Sequence, residues 1–416
     1  MCHCSTLSST VYRPHRLRVN RFYAPWQSPS YSISKSYTQV SRAPPIFTHF
    51  FNQTRQEEMK TLAPFVLAAA LPFSAVADDD MYLEFIGEAI FPTGHMYGDT
   101  EVGGLSGIDY DSESNSYIAI SDDRAEPRFY ELTIDLADGY LDYSDVTFTG
   151  VTTIFDINGD LFEPYTVDPE SIRLSSFPGL LYWTSEGDAN AGISPFVRIM
   201  TRMGQPVNEF ELPEKFVPTA DSGIRQNLAF ESLTFTRGGK RLVTATENAL
   251  KQDGPAASLD AGSPVRVLTM KTGTGEASKE YIYMTDAIPQ EPIPAGSFAT
   301  NGLVELLSIG KNKYIAVERA FSVGVGNDIK LYLTSTHDAS NVKTRDSIDG
   351  KKFKPMKKRL LFDLAELGIT LDNIEGITFG PDAADGSKTL ILVSDNNFNP
   401  NGQFTQFLAF KLNMDD

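Results

Sequence analysis

The stretch DPESIRLSSFPGLLYWTSEGD, residues 168–188, decides the fold. Two short apolar runs flank a Ser/Pro/Gly turn. Aromatic and β-branched residues fill the runs, so the stretch reads as a β-hairpin. A carboxylate stands at each end of it, Glu170 before the first strand and Glu186 after the second.

The same arrangement recurs along the chain, and a recurring unit governs the whole architecture. SGIDYDSESNSYIAISDD begins at Ser106, ESLTFTRGGKRLVTATEN at Glu231, NGLVELLSIGKNKYIAVER at Asn301 and EGITFGPDAADGSKTLILVSDN at Glu375. In each, a polar and a small residue lead a strand, a turn follows, and the second strand ends in an acid. Those acids are Asp122, Glu186, Glu247, Glu318 and Asp395. In the Asn301 unit an Asn stands where three others have Glu.

Third strands begin at Pro127, Pro195, Ser263, Asp328 and Thr405. Fourth strands are expected at Val146–Phe155, Val207–Leu212, Glu280–Thr285 and Lys358–Asp363. The last unit has no fourth strand of its own, and YLEFIGEAIF, from Tyr82, can supply it. Four-stranded units closed by an N-terminal strand make an all-β fold, a β-propeller of five blades. The wide spacing leaves room for a sixth, degenerate blade around 335–372 or 140–165. Only LLFDLAELG (Leu360–Gly368) suggests a helical turn or two.

What precedes the repeats differs in composition. Residues 1–56 contain no Asp or Glu, seven Lys or Arg and many Ser and Tyr, as in a disordered leader or an organelle presequence. MKTLAPFVLAAALPFSAVADDD, from Met59, then has the Lys60 n-region, an apolar run Leu62–Phe73 and an Ala75-Val76-Ala77 cleavage site. The run is too short to span a membrane. We expect a signal peptide over 59–77 cut after Ala77, translation that starts at Met59, residues 1–58 as leader, and one propeller domain over 78–416. The product is expected to be secreted or periplasmic and to act as a monomer.

The first 77 residues carry eight Lys or Arg and two Glu, so the net charge of −18 becomes −24 for residues 78–416. Such a surface repels nucleic acid and anionic membranes and favours cations. Cys2 and Cys4 are the only cysteines, and both precede the cleavage site. The exported chain therefore has no disulfide, thiol nucleophile or thiolate metal site.

In a propeller, the first strand of each blade lines the central channel. Residues that start it, or that end the next strand, gather at one mouth. The repeat thus brings together Glu170, Glu231 and Glu375 from strand starts, and Asp122, Glu186, Glu247, Glu318 and Asp395 from strand ends. So many carboxylates repel one another unless they are protonated or bind cations. Oxygen ligands select Ca²⁺, with Mg²⁺ the alternative, over softer metals. The competing role for these acids is structural, accepting backbone N–H groups or pairing with Arg between blades. Arg124, Arg225 and Arg319 flank the acids and suit a phosphate or carboxylate group, since guanidinium binds such oxyanions bidentately. His95 and His337 are the only histidines after the cleavage site, and His95 precedes the first hairpin, where it can face the channel. G-x-S-x-G, a Walker loop and H-E-x-x-H are absent. KKFKPMKKR (Lys351–Arg359) reads as a solvated loop.

Taken together, Gly103–Asp123, Asp168–Asp188, Arg225–Asn248, the ERAF of Glu318–Phe321 and Asn373–Asn397 resemble the secreted phytase-like family described as having esterase-like activity. The resemblance implies an exported propeller linked to phosphoester or ester hydrolysis. The residues then suggest roles. Ca²⁺ on the acidic rim would bind the substrate and polarise water, Arg225, Arg319 and Arg124 would steady the anion, and Glu231 would act as general base. The substrate is expected to be a small phosphoester, lactone or carboxyl ester, with His95 among its contacts. The alternative is a non-catalytic propeller that Ca²⁺ stabilises and that binds a ligand.

Overall fold

A computed structural model describes residues 81–414, all of which belong to one compact unit, Ser74–Asp416. The leader and signal sequence lie outside the described residues. β1 (Met81–Pro92) is followed by a small hairpin, β2 (Met96–Tyr97) and β3 (Thr100–Glu101). Blade 1 is β4 (Leu105–Asp111), β5 (Ser116–Ser121), β6 (Arg128–Ile134) and β7 (Val146–Thr153). Blade 2 is β8 (Pro169–Leu174), β9 (Leu180–Ser185), β10 (Phe196–Thr201) and β11 (Pro206–Glu209). Blade 3 is β12 (Phe230–Phe235), β13 (Arg241–Thr246), β14 (Pro264–Lys271) and β15 (Ala277–Met284). Blade 4 is β16 (Ala299–Gly310), β17 (Lys313–Ser322), β18 (Gly326–Ser335) and β19 (Lys357–Asp363). Blade 5 is β20 (Asn373–Phe379), β21 (Lys388–Asp395) and β22 (Phe404–Met414), with β1 antiparallel to β22 as its outermost strand.

This is a five-bladed β-propeller in which N-terminal and C-terminal strands share the closing blade and so fasten the ring. The regions considered for a sixth blade belong elsewhere. Residues 146–153 and 357–363 are the outermost strands of blades 1 and 4. Leu364–Leu367 is a single 3-10 turn, capped by the Asp363 carboxylate and ended by left-handed Gly368. Among the described residues, no helix is long and apolar enough to cross a membrane.

The core is five wedges, one between each pair of neighbouring blades. Ile118 and Ile120 of blade 1 meet Ile172 and Trp183 of blade 2. Tyr182 and Val197 meet Phe230 and Leu233, Val243 and Val267 meet Leu303 and Ala316, and Ile315 and Val317 meet Ile377 and Leu392. Ile391 and Phe407 of blade 5 return to Ile108 and Tyr117 of blade 1 and complete the ring. Inner and middle strands are apolar on both faces because a blade lies against each face. Each fully buried Leu, Ile or Phe contributes about 1.5–3 kcal/mol.

One ion pair crosses the channel. Arg173 Nη2 of β8 lies 2.8 Å from Glu305 Oε2 of β16, and both side chains are buried. Arg173 also donates to the carbonyls of Ile108 in blade 1 and Ile377 in blade 5. Glu305 accepts from Ser171 Oγ at 2.7 Å and from the Leu233 amide at 2.9 Å. The pair thus ties all five inner strands together.

Candidate active site at the channel mouth

Each inner strand carries a β-bulge at the same level. Across the first two strands, Leu105 pairs Ser121 and Gly107 pairs Ile120, which leaves Ser106 extra. The extra residue falls within Glu170–Ser171 in blade 2, and at Glu231, Val304 and Glu375 in blades 3, 4 and 5. A bulge re-aims a side chain, and bulges gather beside active sites for that reason. The residue that follows the bulge's partner on the second strand is Asp122, Glu186, Glu247, Arg319 and Asp395 in turn.

Blade 4 therefore departs from the sequence repeat. Its counterpart of Glu247 is Arg319 rather than Glu318, and its counterpart of Glu231 is Val304 rather than Asn301. β16 spans 12 residues, so Asn301 and Gly302 precede the bulge. One step of register turns a side chain to the opposite sheet face. Glu318 accordingly leaves the mouth. It accepts from Tyr283 Oη at 2.6 Å and the Asp286 amide at 2.8 Å, and Lys358 pairs with it. Asn301 donates to the same Glu318 carboxylate at 3.2 Å.

The other seven expected acids converge. One oxygen each from Asp168, Glu170 and Glu186 lie within 4.8 Å of one another, and so do one each from Glu170, Glu231 and Glu375. Asp168 was not among the expected ligands. It stands two residues before Glu170, and that i, i+2 spacing on an extended chain was the available signal. Gly104 and Gly302 make room for the ring. A Cβ on Gly104, at φ +63, would stand 1.9 Å from Asp122 Oδ1, and one on Gly302 2.1 Å from Glu247 Oε1.

Burial pushes every one of these carboxyls up; neighbouring carboxylates add to it at Asp122, Glu170, Glu186, Glu231 and Asp395, whereas Arg124 offsets it at Asp168 and Arg319 offsets it at Glu247 and Glu375. Asp168 and Glu247 are raised to about 7, and Glu186 and Asp395 to about 8. Asp122, Glu170, Glu231 and Glu375 are raised as well. Burial opposes the charge of Arg319, but Glu247, Glu375, Glu231 and Asp395 outweigh it and hold the guanidinium charged. Arg319 Nη2 is 2.9 Å from Glu375 Oε1 and 3.8 Å from Glu247 Oε1. Asn373 Nδ2 donates to Glu375 at 2.9 Å and to Asp395 at 3.2 Å. On the far side, Arg124 reaches Asp188 at 2.9 Å and Asp168 at 3.6 Å.

The remaining expected residues lie apart. Arg225 donates to the carbonyls of Ala249 at 3.0 Å and Gly254 at 2.6 Å, so its guanidinium secures the loop after β13. The His95 ring packs on Phe91, with centroids 4.9 Å apart, and neighbours Phe148. Neither lines the cavity at the mouth. That cavity, of about 900 Å³, is bounded by Asp122, Asp168, Glu170, Glu231, Glu375 and Asp395, by Arg124 and Arg319, by Phe298 and Phe321, and by Asn397, Asn399 and Asn401, while Glu186 and Glu247 lie behind its wall. The asparagines come from the DNNFNPNGQ loop after β21, which the repeat comparison passed over because it lies beyond the hairpin.

The donor set fits a hard divalent cation. It is all oxygen, it is buried, and it has unsatisfied atoms. Glu186 gives one oxygen to the Ala229 amide and leaves Oε2 with no hydrogen-bond partner, and Asp122 Oδ1 and Glu247 Oε1 also lack one. Buried acceptors without donors are costly unless something else fills the role.

Residues 100–398 match the family described as phytase-like, with the esterase-like activity of phytase. No curated protein matches the chain. Among solved structures, the endo-arabinase of Bacteroides thetaiotaomicron is 13% identical, with a TM-score of 0.41 over 80% of this chain and 99% of that one. The catalytic domain of the Coprinopsis cinerea GH62 α-L-arabinofuranosidase is 9% identical, with a TM-score of 0.42 over 79% of this chain and 98% of that one.

Proposed function

The chain belongs to the phytase-like family, and we propose that it is an exported, cation-dependent hydrolase of small phosphoesters or carboxyl esters, acting at the acidic channel mouth. The observation that carries this reading is the pair of carboxylate sets with oxygens within 4.8 Å, buried and short of hydrogen-bond donors. Asp168, Glu170, Glu186, Glu231 and Glu375 would hold Ca²⁺ or Mg²⁺. When bound, the cation supplies a Lewis acid that polarises the ester and offsets the charge of the ring.

The chain's own groups do the rest. Arg319 and Arg124 stand on opposite sides of the carboxylates and orient an anionic substrate between them. As the water oxygen bonds to phosphorus or to the acyl carbon, Glu231 takes its proton. The bond to the leaving oxygen then breaks, and the proton returns to that oxygen from Glu231 or from solvent. Arg319 meets the negative charge that grows on the ester oxygens. Arg225 and His95, held on carbonyls and on Phe91, take no part. Export rests on the 59–77 pattern and on the cysteine-free remainder of the chain.

The test uses chelator-stripped protein with and without CaCl₂ on a phosphomonoester, a phosphodiester and a simple carboxyl ester. Calcium-dependent turnover that Glu231→Gln and Arg319→Gln abolish, at unchanged melting temperature, supports the reading. Calcium binding without turnover on any of them replaces it with a binding propeller.

A further inference from the structure

We propose that the mouth holds two divalent cations of unequal affinity that share Glu170 as a bridging ligand. This rests on the reading of the mouth as a cation site and adds how many ions it takes, which residues hold each and what separates them.

Glu170 is the only member common to both carboxylate sets. Within each set the three oxygens stand close enough together for one Ca²⁺, with ligand oxygens at about 2.4 Å, to touch all of them. A bridging carboxylate must keep both oxygens free of other duties. Among the described residues, no hydrogen-bond donor reaches the Glu170 carboxylate, although the side chain is buried. Glu186 Oε2 in the first set is buried and without a hydrogen-bond partner.

The sets differ in what competes for their charge. In the first, Arg124 is engaged by Asp188 at 2.9 Å and stands 3.6 Å from Asp168. Among the described residues, no guanidinium is hydrogen-bonded to Asp168, Glu170 or Glu186, so an ion there meets no fixed cation in direct contact with its ligands. In the second, Arg319 lies 2.9 Å from Glu375 and is a cation already in place. It occupies the position that holds an acid in the other four blades, so blade 4 supplies a tethered positive charge where symmetry would have put a ligand. The Asp168–Glu170–Glu186 subsite is the tight one. The Glu170–Glu231–Glu375 subsite is weak because of Arg319, and because it shares Glu170 with an ion already bound.

Calorimetric titration of the chelator-stripped protein with CaCl₂ tests this. Two ions per chain are expected, with dissociation constants at least about tenfold apart. Glu186→Gln weakens only the tight event, and Glu170→Gln weakens both. Arg319→Gln tightens the weak event by about tenfold or more and leaves the tight one in place. One ion per chain, or an Arg319→Gln protein whose weak event does not move, overturns the proposal and leaves the cation-dependent reading standing. No bound calcium overturns both. If Arg319→Gln does not fold, the wild-type ion count and the Glu186→Gln titration decide.

Discussion

Without divalent cations, the stability of this protein should fall as pH rises. In chelator-stripped protein, burial raises Asp168 and Glu247 to about 7 against the pull of Arg124 and Arg319, and burial with neighbouring carboxylates raises Glu186 and Asp395 to about 8, from 3.8 for Asp and 4.5 for Glu. A carboxyl raised in the folded state contributes stability that is fully present below its unfolded pKa and is lost as pH climbs through the folded value. The window is therefore pH 4 to 8. The four groups do not titrate independently, because a proton on one relieves its neighbours. Counting only two extra protons on the native state at pH 6, stability falls by about 2.7 kcal/mol per pH unit. Between pH 5 and 7 that approaches about 5 kcal/mol, a large part of the stability of an ordinary domain. Calcium bound at the mouth as proposed should reverse the trend, since it would compete with those protons and bind best where they have left. Urea unfolding at pH 5, 6, 7 and 8, with chelator and with saturating CaCl₂, gives both slopes. We expect the chelated protein to lose at least about 1.4 kcal/mol per unit, the value for a single proton, and calcium to stabilise more at pH 8 than at pH 5. A chelated protein whose stability is flat or rises over that range refutes the argument, as does calcium that stabilises most at pH 5.

Three further outcomes follow from particular contacts. Arg173→Met leaves Glu305 buried without its cation and should cost about 3–5 kcal/mol in urea unfolding, while Arg173→Met with Glu305→Leu should recover most of it; a double variant as unstable as the single would show that the pair itself holds the inner strands. Gly302→Ala puts a Cβ 2.1 Å from Glu247 Oε1 and should destabilise the protein by about 1–3 kcal/mol, as thermal unfolding would show, unless Glu247 can move aside. Glu318→Gln should leave calcium affinity within about twofold, because its carboxylate lies among Tyr283, Asp286 and Lys358 and a charge so placed acts on the mouth only through screened, longer-range interactions; a loss of one bound ion would return Glu318 to the metal site.

The blade pattern was legible because hairpin turns and apolar strands are local features, and the closing N-terminal strand could be inferred from a missing fourth strand. Register was less so. In blades 1, 2, 3 and 5 the bulge falls on the polar residue that opens the strand motif, so matching letters also matched hydrogen bonding. In blade 4 the motif opens at Asn301 and the bulge falls at Val304, and matching letters then chose Glu318 over Arg319. Nothing local distinguishes those neighbours, since only pairing with β16 fixes which of them faces the channel. Arg225 has the guanidinium that suits an oxyanion and His95 the place before the first hairpin, but each has a partner, the Ala249 and Gly254 carbonyls and the Phe91 ring, that sequence spacing does not reveal. Glu305 is the opposite case. A carboxylate inside the apolar run LVELLSIG, with an arginine inside ESIRL, was a sign of a buried pair facing the channel, because lone charges are not left in such strands.

A five-fold repeat by itself would build a symmetric ring of like charges, and a symmetric ring has no direction in which to hold a substrate. Three departures supply one. Ser106 and Val304 remove the bulge carboxylate from blades 1 and 4, so those that remain belong to blades 2, 3 and 5. Arg319 then reaches from blade 4 toward Glu375 of blade 5 and Glu247 of blade 3. Arg124, after β5 of blade 1, reaches toward Asp168 and Asp188 of blade 2. The two guanidinium groups thus bracket the carboxylates that have no donors. An anion entering the mouth meets fixed positive charge on two sides and, with cations in place, a third between them. With the carboxylates uncovered, the same anion would be repelled. The electrostatics of this mouth therefore favour an anionic ligand only in the cation-loaded state, which couples binding of substrate to binding of metal in both directions. A phosphate monoester should accordingly tighten calcium by the same factor that calcium tightens the phosphate ester. Equal calcium affinity with and without a slowly hydrolysed phosphonate analogue would separate the two events and place the anion elsewhere.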